Sequence, residues 1–172
     1  MVIIESAWSS HRMRKGRAME EKIETAVGNI FANAKPVATV KKNSLEEIRI
    51  SVLKNNKIDL RVYFYFPNDP LARPTKKGVW LSFAHISPII AAFEKFIADP
   101  KQEFNLEFDA TDKNKIVAYL SDFKGAKVIH IRTFYLKDGA FLPGRGISFS
   151  ATVMKDMCAA LQKLKAFEGV VA

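Results

Sequence analysis

Apolar and polar residues alternate along several short segments of this chain, and the same order of segments occurs twice. The clearest examples are Ile58, Leu60 and Val62 in the first copy and Ile129 and Ile131 in the second, each separated by one polar residue. Alternation of this kind predicts strands with one buried and one exposed face. The predicted strands are 36–41, 46–53, 57–65 and a short strand within 74–82, and then 103–109, 115–121, 128–135 and a short strand within 143–150.

A change to helical spacing follows the fourth strand of each copy. Ser87-Pro88 is predicted to open the first helix, which Pro100 would end. Ser150 or Thr152 is predicted to cap the second helix, and Gly169 to stop it. The apolar stripes of the two helices are Ile89, Phe93, Phe96 and Ile97, and then Val153, Met157, Leu161 and Leu164.

Short turns favour antiparallel pairing of neighbouring strands. Asn55-Asn56 and Lys124-Gly125 are dipeptides that accept the positive φ of a tight hairpin. The predicted fold class is therefore α+β, with two β-β-β-β-α repeats at 36–99 and 100–172. Each repeat is expected to form a curved antiparallel sheet with its helix packed on one side.

The first 35 residues lie outside this repeat. They contain the basic cluster Arg12, Arg14, Lys15 and Arg17, and Met19 to about Ala34 is a candidate helix. Two interpretations stay open for 1–35, a basic arm that adds phosphate contacts and a variable tail.

Composition narrows the function classes. The 172 residues include 27 Lys and Arg against 18 Asp and Glu, a formal charge of +9, which favours a phosphate-rich partner. No apolar run is long enough for a membrane helix and the opening residues lack a secretory signal, so a soluble, intracellular protein is expected.

Catalytic and metal-binding motifs are missing from the sequence. Cys158 and the three histidines, His11, His85 and His130, have no metal-ligand spacing, and Cys158 is expected to pack in the core. No phosphate loop, nucleophile elbow or carboxylate cluster is present. A non-enzymatic protein with no cofactor and no metal is predicted.

The exposed sides of the third strands suggest a binding surface. Alternation places Arg61 and Tyr63 on one side of their strand, and Arg132 and Phe134 on the corresponding side of theirs. Unpaired bases stack on aromatic rings while the backbone follows cations, so this combination predicts binding of single-stranded nucleic acid.

The second copy, from Asp122 to Tyr135 and from Leu142 to Ser148, resembles the C-terminal domain of the transcriptional coactivator p15/PC4 family. The resemblance covers about 100–167 well and 36–99 more weakly. It implies the single-stranded-DNA-binding transcriptional regulator-like fold, with a repeat layout similar to that of Whirly and Pur-type proteins. It also implies a sheet that binds single-stranded or melted DNA, with the two copies acting as a dimer joined in one chain.

Carried over from the family, the implied nucleic-acid-binding residues are Arg61, Phe64, Arg73, Lys76 and Lys77 in the first copy and Phe123, Lys124, Arg132, Tyr135 and Arg145 in the second. Strict alternation puts Phe64 and Tyr135 opposite the two arginines. Without a bulge that corrects this, Tyr63 and Phe134 would do the stacking. Leu142 stands where the family loop often has a lysine, Arg145 stands alone where two cations are usual, and Ala126 resembles an insertion.

Several alternatives stay open at this stage. RNA could replace DNA as the ligand, and an interaction module for transcription or replication proteins is a further class. The chain could act as a pseudo-dimer or as a homo-oligomer. A cytoplasmic, nucleoid-associated location is expected, with the nucleus or an organelle as alternatives.

Overall fold

The computed structural model describes residues 36–168, which contain two four-stranded antiparallel sheets in strand order β1-β2-β3-β4 and β5-β6-β7-β8. Each sheet precedes a helix, so the predicted α+β class and the repeated β-β-β-β-α order are confirmed. The first set of elements is β1 (Pro36–Lys41), β2 (Glu46–Val52), β3 (Ile58–Phe64), β4 (Arg73–Leu81) and α1 (Phe83–Ala98). The second is β5 (Asn105–Phe108), β6 (Asn114–Phe123), β7 (Ala126–Lys137), β8 (Ala140–Ser150) and α2 (Met154–Gln162), with 3₁₀ turns at Ala151–Val153 and Lys163–Phe167 on either side of α2.

Residues with positive φ form the tight turns of the hairpins. Asn56 has φ 61°, and Lys124 and Gly125 have φ 51° and 80°, as the sequence predicted for these turns. Asp138 and Gly139 form a further turn of the same kind, with φ 51° and 82°. The sequence predicted only a short strand within 143–150, and this prediction was wrong, because β7 and β8 form one long hairpin through this turn.

Helix α1 begins earlier than predicted. Ser82 is its N-cap, and the Ser82 backbone N–H donates to Nδ1 of His85 at 3.3 Å. Pro88 therefore lies inside the helix and not in its first turn. Proline removes the donor to the carbonyl of Ala84, but Ala84 is exposed, so water can reach that carbonyl. The helix ends at Ala98, before Pro100, as expected.

The second helix keeps its predicted apolar stripe but not its predicted cap. The hydroxyl of Ser150 accepts from the Thr152 N–H at 3.3 Å and caps the 3₁₀ turn Ala151–Val153, whereas the N-cap of α2 itself is Val153, which has no side-chain capping hydrogen bond. All four residues of the predicted stripe are buried, and the predicted stop at Gly169 lies outside the described residues. Cys158 is also buried, and burial raises the pKa of its thiol. Its predicted place in the core is confirmed.

One hydrophobic core joins the two repeats. The ring of Phe93 in α1 lies 5.7 Å from that of Phe104 and 6.1 Å from that of Phe149, both in the second repeat. Helices α1 and α2 pack together, and Gln162 donates to the Glu94 carboxylate at 3.0 Å. The helices thus cover the inner side of both sheets, and the opposite sides carry the alternating polar residues.

Residues 36–168 belong to one compact unit of the chain. The basic arm and helix predicted over 1–35 lie outside the described residues. Within the described part of the chain, no helix is long and apolar enough to cross a membrane.

Candidate nucleic-acid interface

The side of the second sheet that faces away from the helices is the β5–β8 face. Ile129 and Ile131 point into the core, so the residues between and beyond them on β7 point outward. Register then determines their neighbours, since His130 pairs with Tyr119 and Ser148, and Arg132 with Val117 and Gly146. The β5–β8 face comprises Lys115, Val117, Tyr119, Ser121, Phe123, His130, Arg132, Phe134, Gly146 and Ser148.

Three rings lie together at the centre of this face. Tyr119 stacks on the imidazole of His130 with centroids 4.8 Å apart and an interplanar angle of 16°. The Phe134 ring is tilted relative to the Tyr119 ring, with centroids 6.2 Å apart. All three side chains are partly exposed, so they form a hydrophobic surface that a base could contact.

Arg132 lies beside these rings with its charge unneutralised. One guanidinium nitrogen donates to the Ser148 hydroxyl at 3.1 Å, while Nε is buried and has no hydrogen-bond partner. Among residues 36–168 no carboxylate forms a salt bridge with Arg132. The Arg132 guanidinium is therefore a cation without an anionic partner in this part of the chain, and such a cation can pair with a phosphate.

His130 holds this region in place without adding charge. Its Nδ1 lies 2.8 Å from the Ser148 hydroxyl and its Nε2 lies 2.8 Å from the Ser121 hydroxyl. Burial lowers the pKa of His130 below its ordinary value of 6.5, and the charge of Arg132 lowers it further. The imidazole is therefore neutral at pH 7, donating to one serine and accepting from the other.

Both ends of the β5–β8 face carry further rings and cations. Phe123 is 63% exposed at the β6–β7 turn, and the Lys124 ammonium lies 5.5 Å from its ring centroid. At the other end the Lys115 ammonium lies 4.8 Å from the Phe141 ring and 2.6 Å from the carboxylate of Glu107. Rings and cations thus follow the strand direction from one turn to the other.

The corresponding face of the first sheet is neutralised internally. Arg61 is only 8% exposed and donates to both oxygens of Asp59, at 3.0 and 2.9 Å, and to the Thr75 carbonyl at 2.9 Å. Arg49 lies over the buried Tyr63 ring at 4.1 Å and donates to Glu47 at 2.8 Å. The cations of this face are therefore already engaged with carboxylates of the same face.

The other residues proposed for the first copy are dispersed. Phe64 packs edge-on against Phe66, at 5.0 Å, and lies on the side of β3 opposite Arg61. The cations of β4 are exposed, but Arg73 is bound to Asp69 at 2.8 Å and Lys77 to Glu46 at 3.2 Å. Lys76 is exposed with no salt bridge to the described residues.

A bulge in β3 or β7 was needed to bring Phe64 or Tyr135 to the same side as the arginine of that strand. Register irregularities do occur at these points, but in the neighbouring strands. They lie opposite Arg61/Tyr63 and Arg132/Phe134, and the extra residues are in β4 and β8. Strand β7 therefore alternates without interruption, and Tyr135 points away from Arg132 and Phe134.

Tyr135 instead lines a groove of about 540 Å³ together with Asn114, Ile116, Thr133, Gly144 and Arg145. The Thr133 hydroxyl donates to the Arg145 carbonyl at 3.1 Å and holds the irregular segment of β8. The implied binding residues of the second copy are thus divided. Phe123, Arg132 and Phe134 belong to the β5–β8 face and Lys124 lies in the turn at its end, whereas Tyr135 and Arg145 belong to the groove.

Sequence reasoning missed several members of the β5–β8 face. Tyr119, Ser148 and Lys115 were not singled out, and no binding role was predicted for His130. Alternation of Lys115, Val117, Tyr119 and Ser121 along β6 was the available signal. It did not reveal the stacking, because the position of Tyr119 beside His130 depends on the register between β6 and β7.

Part of the second repeat matches a known protein family. Residues 110–160 match the family described as Transcriptional Coactivator p15 (PC4), a match that spans β6 to β8 and most of α2. The predicted resemblance to PC4 is confirmed over this part of the chain, and it supports a nucleic-acid-binding or transcription-related role.

A solved structure of MRP1/MRP2 from Trypanosoma brucei is 8% identical and has a TM-score of 0.42, with 99% of this chain and 100% of that chain covered. A similarity at this level supports no argument about function. No curated protein matches the sequence.

Proposed function

We propose that this chain, whose second repeat is PC4-like, binds single-stranded DNA on its β5–β8 face without catalysing a reaction. The observation that carries the proposal is Arg132, whose guanidinium has no carboxylate partner in 36–168 and lies beside the rings of Tyr119, His130 and Phe134. A role in transcription regulation, or in replication and repair, follows from holding strands unpaired.

Stacking and phosphate contacts have complementary tasks on such a face. A base that stacks on a ring contributes about 1–3 kcal/mol whatever its identity. A phosphate would pair with the Arg132 guanidinium, which has no carboxylate partner among residues 36–168. Together they favour unpaired strands over duplexes, because paired bases cannot turn their faces toward the rings.

RNA is the alternative ligand, since stacking and phosphate contacts serve both nucleic acids. A second candidate function is binding of a transcription or replication protein. The exposed apolar residues at the end of the β7–β8 hairpin, Leu136, Phe141 and Leu142, favour this candidate.

Fluorescence anisotropy with labelled oligonucleotides tests the proposal. Binding to a single strand should exceed binding to the matching duplex, and log K should fall as log salt rises. Arg132→Gln should weaken binding about tenfold, roughly the 1.4 kcal/mol expected for one charge-assisted contact.

Lys155→Gln is the matched control, because Lys155 is exposed on α2 and loses the same charge away from the face. Equal, weak binding of single strands and duplexes would contradict the proposal and favour protein binding. Stronger binding of RNA than of DNA in parallel titrations would select the alternative ligand.

A further inference from the structure

The two sheets have the same strand order, and each has an arginine at the equivalent position of its third strand. Their outer faces differ at the residue two positions before this arginine. Asp59 precedes Arg61 on β3, and His130 precedes Arg132 on β7. The environments correspond closely, because Arg61 pairs across the sheet with Gly78 and Arg132 with Gly146. The exchange of a carboxylate for an imidazole is therefore a local difference between equivalent positions.

The consequence for each arginine is visible in its contacts. The Asp59 carboxylate binds the Arg61 guanidinium through two hydrogen bonds and neutralises it. His130 makes no hydrogen bond to Arg132, and its two ring nitrogens face Ser121 and Ser148. Arg132 keeps its charge and an unsatisfied Nε.

At a second pair of equivalent positions, a carboxylate of the first face is again replaced by a group that carries no negative charge. Glu47 is the cross-strand partner of Tyr63, and Lys115 is the cross-strand partner of Phe134. Glu47 accepts hydrogen bonds from Arg49 at 2.8 Å and from the Tyr65 hydroxyl at 2.7 Å, and lies 3.2 Å from the Lys41 ammonium. At these two positions the carboxylates of the first face are replaced in the second by an imidazole and an ammonium, and Lys115 itself is paired with Glu107 at 2.6 Å, so Arg132 is the cation of this strand that gains no carboxylate.

We infer that His130 determines which sheet binds nucleic acid, and that the chain holds one strand, on the β5–β8 face, while the first sheet is a structural half. This inference rests on the proposed function. His130 acts as a positioning residue, since it orients Ser148 and leaves the Arg132 charge available to a phosphate. The chain is then an asymmetric pseudo-dimer whose two outer faces have different tasks.

Two variants of His130, whose new side chains are equal in size but differ in charge, measure the effect of a negative charge at this position. His130→Asp places a carboxylate where the first sheet has Asp59, whereas His130→Asn loses the imidazole without adding charge. Relative to His130→Asn, His130→Asp should bind a labelled single strand about tenfold more weakly. Its salt slope should also be smaller by about 0.7, the value for one phosphate contact to a single strand.

Ser148→Asp against Ser148→Asn repeats the comparison from β8, should His130→Asp fail to fold. Ser87→Asp adds the same charge on the exposed side of α1 and should leave binding unchanged. Equal affinities and salt slopes for the Asp and Asn variants would overturn the role of His130.

Stoichiometry tests the second part of the inference. With short oligonucleotides at concentrations far above Kd, binding should saturate at one strand per chain. Saturation at two strands per chain would overturn the asymmetry and leave the proposed function standing. Absence of any single-strand binding by the unaltered protein would overturn both.

Discussion

Gly146 lies directly across the sheet from Arg132, and a Cβ built on Gly146 would approach the Arg132 Cβ to 2.2 Å and the Ile131 carbonyl oxygen to 2.5 Å. Glycine is needed because the backbones of β7 and β8 are this close beside the irregular segment of β8. The same glycine therefore sets the position from which Arg132 reaches Ser148.

Gly146→Ala is expected to destabilise the protein by about 1–3 kcal/mol, since the clash is with backbone atoms that cannot rotate away. At Gly78 the nearest atoms are those of the Arg61 guanidinium, at 2.9 to 3.1 Å, so Gly78→Ala should cost less. Urea unfolding midpoints measure both. A midpoint for Gly146→Ala equal to that of the unaltered protein would show that β8 can shift.

Arg61→Met should lower stability by about 3–5 kcal/mol, because it leaves the Asp59 carboxylate buried without its bidentate partner. The double variant Asp59→Leu with Arg61→Met removes both charges and should recover much of the loss. Thermal or urea unfolding of the two singles and the double gives the coupling energy. Additive losses would mean that the pair contributes no coupling.

Phe134→Leu should weaken single-strand binding by about 1–2 kcal/mol, because Phe134 shares a face with Arg132 and a leucine cannot stack on a base. Tyr135→Leu is the matched comparison, since Tyr135 lies one residue further on and lines the groove. Anisotropy titrations should show the smaller effect for Tyr135→Leu. The opposite ranking would move the bound strand from the β5–β8 face to the groove.

Acid should destabilise the first sheet through Glu47. Burial alone would raise the pKa of Glu47, but hydrogen bonds from Tyr65, Arg49 and Lys41 outweigh burial and hold the pKa below its ordinary value of 4.5. A carboxyl group with a lowered folded-state pKa stabilises the fold above the unfolded-state value, and this contribution is lost as pH falls through the folded-state value.

Unfolding free energy measured between pH 6 and about pH 3 should therefore decline most steeply below about pH 4.5. Glu47→Gln should be less stable at pH 6 and should show a shallower decline. Parallel curves for the two proteins would exclude Glu47 as a source of the acid sensitivity.

Local patterns predicted much of the architecture. Alternation was sufficient to predict β3 and β7, and the stripe from Val153 to Leu164 was sufficient to predict α2, because strand and helix periods are properties of the backbone itself. The start of α1 was misplaced, since proline usually marks a first turn and Pro88 lies beyond it. The Asp138-Gly139 dipeptide is itself a hairpin signal, but the nearby Pro143 favoured a loop before a short strand.

The sequence by itself determined that Arg132 and Phe134 share one side of their strand and that Tyr135 takes the other, because successive side chains alternate in any strand. Only the tertiary structure decided what meets Arg132 there: Ser148 and Gly146 from β8, and the Tyr119–His130 stack beside it. Cross-strand register brings together residues far apart in the chain, and whether an arginine is buried and neutralised or left open depends on those neighbours.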